Sequence, residues 1–163
     1  MSVFKSQFTR VLSVIPSNNS NVPFPAVVTS GTNTSVVANQ LVDSAATFIS
    51  SNVKTGDIIY NTTDSSTATV VSVTSETVIV LNISIFAATG KDYIIYQASP
   101  QTGSGNSGCF LYIGGAGNVR VTTIGQDLVT FSGVTAGTIL PVQVLKVHAS
   151  GSGTTATLIN ALW

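Results

Sequence analysis

The chain holds one histidine, His148, one cysteine, Cys109, and one glutamate, Glu76. That inventory limits its chemistry. Nucleophilic catalysis needs a nucleophile, a base and a group that orients the base. His148 falls in a strand-like stretch, Val144 to Ala149, with Val147 and Ala149 on the opposite side. A solvent-facing or interface histidine is the better reading. Cys109 precedes Phe110 at the start of another strand-like run and reads as a small buried hydrophobe. Zinc needs three or four Cys, His or carboxylate ligands, more than one His and one Cys supply. Asp57, Asn61 and Asp64 sit in one turn region and could offer oxygens to calcium, but they lack EF-hand spacing. Turn-forming Asp and Asn is the better reading. A glycosidase needs two carboxylates across a cleft, and the six acids here fall almost entirely in turns. The chain therefore reads as no enzyme, with no cofactor and no metal.

Two further groups have a structural alternative. Gly114-Gly-Ala-Gly is followed by neither Lys-Ser nor Lys-Thr, so it reads as a tight β-turn with positive φ instead of a phosphate loop. Tyr60, Tyr93 and Tyr96 could line a sugar-stacking face, though core and cross-strand packing is the simpler account. Phe4, Phe8 and Trp163 are the candidate interface residues. The two phenylalanines lie in a segment too poor in apolar residues to fold alone, and the only Trp ends the sequence.

The elements that must position these residues are strands. Of 163 residues, 44% are hydrophobic and only 7% charged, with six cations, six anions and zero net charge. Six scattered cations make no basic face, so a phosphate-reading nucleic-acid partner is excluded. A coiled coil would need the missing Glu, Lys and Leu. Ser and Thr make up about a quarter of the chain, and Val and Ile about a fifth. Such β-branched, hydroxyl-rich composition suits pleated surfaces, and an uncharged Ser/Thr surface associates readily. The first ten residues lack the apolar core of a signal peptide, and no run approaches the length of a membrane span, so no membrane is expected.

The predicted fold is all-β: two small antiparallel β-sandwich or barrel domains preceded by an extended N-terminal arm. The arm covers 1–25, where Pro16, Pro23 and Pro25 stop regular structure. A first β domain covers 26–98, with strands expected at 26–30, 34–38, 40–43, 57–61, 67–74, 77–81 and 93–97. The turn Gly31-Thr-Asn separates the first two. A Gly/Ser linker covers 99–108. A C-terminal β domain covers 109–163, with strands at 109–113, 118–124, 128–132, 138–149 and 154–162. Pro141 is placed on an edge.

The C-terminal third carries a resemblance. Gly115 to Thr122, Val129-Thr-Phe, Ala136 to Val144 with its Leu-Pro-Val string, and Thr154 to the Ala-Leu-Trp ending look like a small β domain of tailed-phage virion proteins. They resemble the head spike base protein family of gene transfer agents and related phages. Gln143 departs from that pattern, where Arg is frequent, which removes any salt contact expected there. Residues 41–44, 53–64 and 68–73 resemble a β module of phage structural proteins. The resemblance implies a virion structural protein: a capsid decoration (cement) protein or head spike base on the outer surface of the phage head. The implied partners are the major capsid protein and further copies of the chain, a trimer being favoured over a pentamer. A tail or baseplate component and a carbohydrate-binding host adhesin are the alternatives.

Overall fold

The structure is a computed structural model, and it describes residues 8–98 and 108–163. It is all-β, with two antiparallel sheets, one of them curled into a half-barrel. Twelve strands are described: β1 Val11–Ser13, β2 Val27–Thr32, β3 Gln40–Val42, β4 Ile58–Asn61, β5 Ser66–Ser75, β6 Val78–Leu81, β7 Asp92–Tyr96, β8 Cys109–Gly115, β9 Gly117–Thr123, β10 Leu128–Val134, β11 Thr138–Val147 and β12 Thr157–Leu162. The first sheet has the order β2-β7-β4-β5-β6-β3. The second has the order β1-β12-β8-β11-β9-β10, so β1 from the N-terminal segment forms one edge of the sheet built by the C-terminal strands.

Alternation of β-branched residues creates each core. Leu41, Ile59, Val70, Ile79 and Ile95 meet Phe48 and Tyr93 in the first. Leu111, Ile113, Val119, Val121, Val144 and Ile159 form the second. Each fully buried side chain of this size contributes about 1.5–3 kcal/mol relative to exposure.

Three local expectations change, each for a long-range reason. Gly31 lies inside β2 and not in a turn. It pairs with Tyr93, and a Cβ there would come within 2.6 Å of both the Tyr93 hydroxyl and the Asp43 carboxylate. The strand expected at 34–38 is reduced to a single bridge, Ser35 to Val42, because Asn33 captures the local backbone. Its side-chain nitrogen donates to Ser35 O and Ala88 O, and its oxygen accepts from Lys91 N. Pro141 lies in the central strand β11 and not on an edge. The register breaks there between Leu140 and Val144, so its missing N–H costs no ladder bond.

The Gly114-Gly-Ala-Gly run is no hairpin turn. Gly114 and Gly115 belong to β8, Gly117 opens β9, and β11 lies between those strands. The glycines instead allow close approach of the chain before and in β12. A Cβ on Gly117 (φ +154°) would lie 2.5 Å from Ala156 N, and one on Gly114 would lie 2.8 Å from Leu158 Cβ.

Candidate protein-binding surface

Residues 14–24 run between the two sheets and bond to both. On one side, Val14 N, Ser17 N and Val22 N donate to Ile159 O, Val147 O and Leu145 O. On the other, Asn19 O accepts from Asn82 Nδ2 at 2.7 Å, Ser20 pairs its hydroxyl with Thr67, and Phe24 N donates to Gln97 O. Pro16 and Pro23 prevent regular structure here, so side chains and isolated backbone groups make these bonds. This part of the chain straps its own two sheets together.

The chemistry-bearing residues are engaged in that scaffold. Cys109 is buried, and burial pushes its thiol up to about 12, so it remains a neutral core group. His148 N donates to Arg120 O just beyond β11. Its ring lies between Thr122 Oγ1, 2.9 Å from Nε2, and Asn18 Oδ1, 3.3 Å from Nδ1. Burial, then Lys146 and Arg120, hold the imidazole below its usual pKa. Asp57 accepts from Lys54 N and Ala98 N, Asn61 donates to Asp64, and Asp64 is ion-paired with Lys91 at 2.9 Å. Asp57 braces one turn, while Asn61 and Asp64, bonded to each other, brace a second. A cleft of ≈ 990 Å³ is lined by Asn19, Lys54, Asp57 and Lys146 among others. The Asp57 carboxylate and the Lys146 ammonium both hold backbone there.

The three tyrosines form no common platform. Tyr93 is buried against Phe48 and Phe86 and donates to Asp43 Oδ2 at 2.7 Å. Tyr60 is also buried and meets Tyr96 edge-on with centroids 5.2 Å apart. Burial raises the pKa of both buried phenols.

The structure separates the predicted interface residues. Phe4 lies outside the described residues. Phe8 packs on Phe110 at 5.7 Å. Trp163 packs against the second core and edge-on to Phe24 at 5.9 Å, while Arg10 lies over the other partner of that stack, Phe24, at 5.2 Å. Their contacts place Phe8 and Trp163 on opposite faces. Val11, Leu162 and Phe110 are paired neighbours on one face, and Leu12, Ala161 and Leu111 on the other, where Ala161 and Leu111 are core residues.

The first of these faces is the candidate surface, and it extends beyond Phe8. Ser13, Asn160, Tyr112 and Ile139 form a second paired row beside Val11, Leu162 and Phe110. Val11 is 62% exposed, Ile139 46% and Tyr112 37%. Neither row contains a charged residue, and the nearest guanidinium, Arg10, donates to Pro25 O instead. Sequence reasoning identified Phe8 but missed Tyr112 and Ile139. Alternation marks both faces of β8 and β11 as apolar, and only the tertiary arrangement shows which one is uncovered. Compared with known protein families, with curated proteins and with solved structures, the chain matches none.

Proposed function

We propose that the chain is a non-enzymatic virion structural protein of a tailed phage, a capsid decoration (cement) protein or head spike base. It binds the major capsid protein on the outer surface of the head and stabilises the head mechanically. The observation that carries this reading is the uncharged outer face of the second sheet, with Val11, Phe110, Tyr112 and Ile139 in two adjacent rows. Contiguous exposed apolar side chains on a folded domain mark interaction surfaces. Buried area contributes roughly 25 cal/mol per Å², less the cost of association. The resemblance of residues 109–163 to head spike base proteins supplies the biological setting. The all-β fold and the self-strapped arm agree with a rigid subunit held by many copies of a weak contact.

The test is co-sedimentation of the purified chain with phage heads that lack it, scored for occupancy and for the temperature at which heads disrupt. Saturable binding that raises that temperature supports the reading. Absence of binding to heads, with binding to tails or to host glycans, transfers the protein to the tail or adhesin class.

A further inference from the structure

Among the described residues the second sheet ends in an edge strand, β10, whose inward-facing side chains are partly exposed. Val129 of β10 pairs with Val121 of β9, and Phe131 pairs with Val119. Directly paired residues share a face, so Val129 belongs to the core side. Yet Val121 is 0% exposed and Val129 is 38% exposed. The core face continues to the edge of the sheet and stops there because no described strand lies beyond β10.

Backbone geometry specifies what fits beside it. Thr123 N donates to Asp127 O across the β9–β10 turn. Bonded and non-bonded pairs alternate along an antiparallel ladder. Val129 and Phe131 therefore exchange bonds with β9, while Leu128 and Thr130 direct N–H and C=O to the open side. The described edges are not equivalent. β1 and β3 have three residues each. β2 has a register break at its start and then carries Thr29, Ser30, Gly31 and Thr32, with little apolar surface to cover. β10 combines free backbone groups with Leu128, Val129 and Phe131, and it lacks the charges and proline that usually protect an edge.

We propose that β10 pairs antiparallel with β10 of a second copy about a two-fold axis at Val129. This register sets Leu128 against Thr130 of the second copy and Thr130 against its Leu128. All the outward N–H and C=O groups of these residues are then bonded. Val129 meets its own equivalent at the close, non-bonded position and covers the exposed part of the core. A strand of the same sequence suits the site because the edge is uncharged and the net charge is zero, so two copies do not repel. The axis at a residue satisfies the pleat, since equivalent side chains then occupy one face. The inference concerns self-association and stands whether or not the chain binds a phage head.

The test uses the full chain. Its mass in solution is measured by sedimentation velocity over a range of concentrations, for the wild type, Val129→Lys and Thr130→Pro. Thr130 N–H faces the open side, so proline there blocks pairing without removing a bond inside the sheet. Circular dichroism checks that each variant keeps its strands. In parallel, Val129→Cys is oxidised mildly beside Gln126→Cys, an exposed turn residue; Cys109 is 1% exposed and stays silent. The expected result is a wild-type dimer, loss of the dimer in both charge and proline variants, and disulfide linkage of Val129→Cys but not Gln126→Cys. A monomer at every concentration, a trimer, or a dimer that survives Val129→Lys without Val129→Cys linkage overturns the proposal.

Discussion

Asn18 and His148 are 130 residues apart in sequence, yet Asn18 Oδ1 lies 3.3 Å from His148 Nδ1. The same asparagine oxygen accepts from Ala149 N, and its nitrogen donates to Ser152 Oγ at 2.7 Å. One side chain thus fixes the strap to the end of β11. The ring meets Asn18 and Thr122 best when Nδ1 carries the proton and Nε2 accepts from the Thr122 hydroxyl.

This joint gives the chain a pH dependence with a definite sign. Burial, Lys146 and Arg120 lower the pKa of His148 in the folded state. As pH falls, the unfolded chain takes up this proton first, so the stability gained by the neutral ring is complete above about 6.5 and is lost below it. Thermal melting should therefore decline as the pH falls below about 6.5. A His148→Gln variant should show a flatter profile over the same window. An unchanged profile would remove His148 as its source.

Gly31 tests the packing of the first core. A methyl group there would meet Tyr93 Oη and Asp43 Oδ2 at 2.6 Å, inside the bonded pair that anchors β7. Gly31→Ala should destabilise by about 1–3 kcal/mol, as overpacking of a buried site does. Chemical denaturation should show a lower midpoint with little change in slope.

Leu158 predicts the opposite direction. It has φ +51°, a left-handed conformation costly for a branched side chain, and it is 74% exposed. Leu158→Gly should stabilise the chain by about 1 kcal/mol through relief of that strain. The midpoint of urea unfolding measures it, and a destabilised variant would show that the leucine side chain contributes packing that its exposure does not suggest.

The outer face supplies the fourth prediction. Tyr112→Lys and Ile139→Lys place a charge where two uncharged rows meet, on partly exposed side chains. Head occupancy should fall at least about tenfold for a loss of 1.4 kcal/mol at a contact centre, with melting temperature nearly unchanged. Val71→Lys, on an exposed residue of the first sheet, should bind as the wild type does.

Much of the strand pattern is legible without coordinates. β4, β5, β6 and β7 lie within a residue or two of their predicted spans, because alternation and turn residues act over four to eight positions. The failures share a cause. Thr34 to Ala38 has strand propensity but lies beside Asn33, whose side chain binds the backbone of distant Ala88. Gly114, Gly115 and Gly117 look like a turn because the segment that crosses them is forty residues away in sequence, at 156–158. In the candidate surface, Phe8 was visible as an apolar residue in a segment that cannot fold alone. Tyr112 and Ile139 were not, since a residue on one face of a strand carries no mark of whether that face is covered.

The sequence by itself determined an all-β chain with a small catalytic inventory and few charges. Those properties follow from side-chain type and period-two patterning, which are local. Tertiary structure alone decided that residues 14–24 strap the chain's own sheets, that Tyr93 is buried on Asp43, and that no described strand lies beyond β10. Each of these depends on which strand lies beside which. That choice is set by contacts between residues far apart in the chain, where propensity is silent and only the joint packing of both cores selects an arrangement.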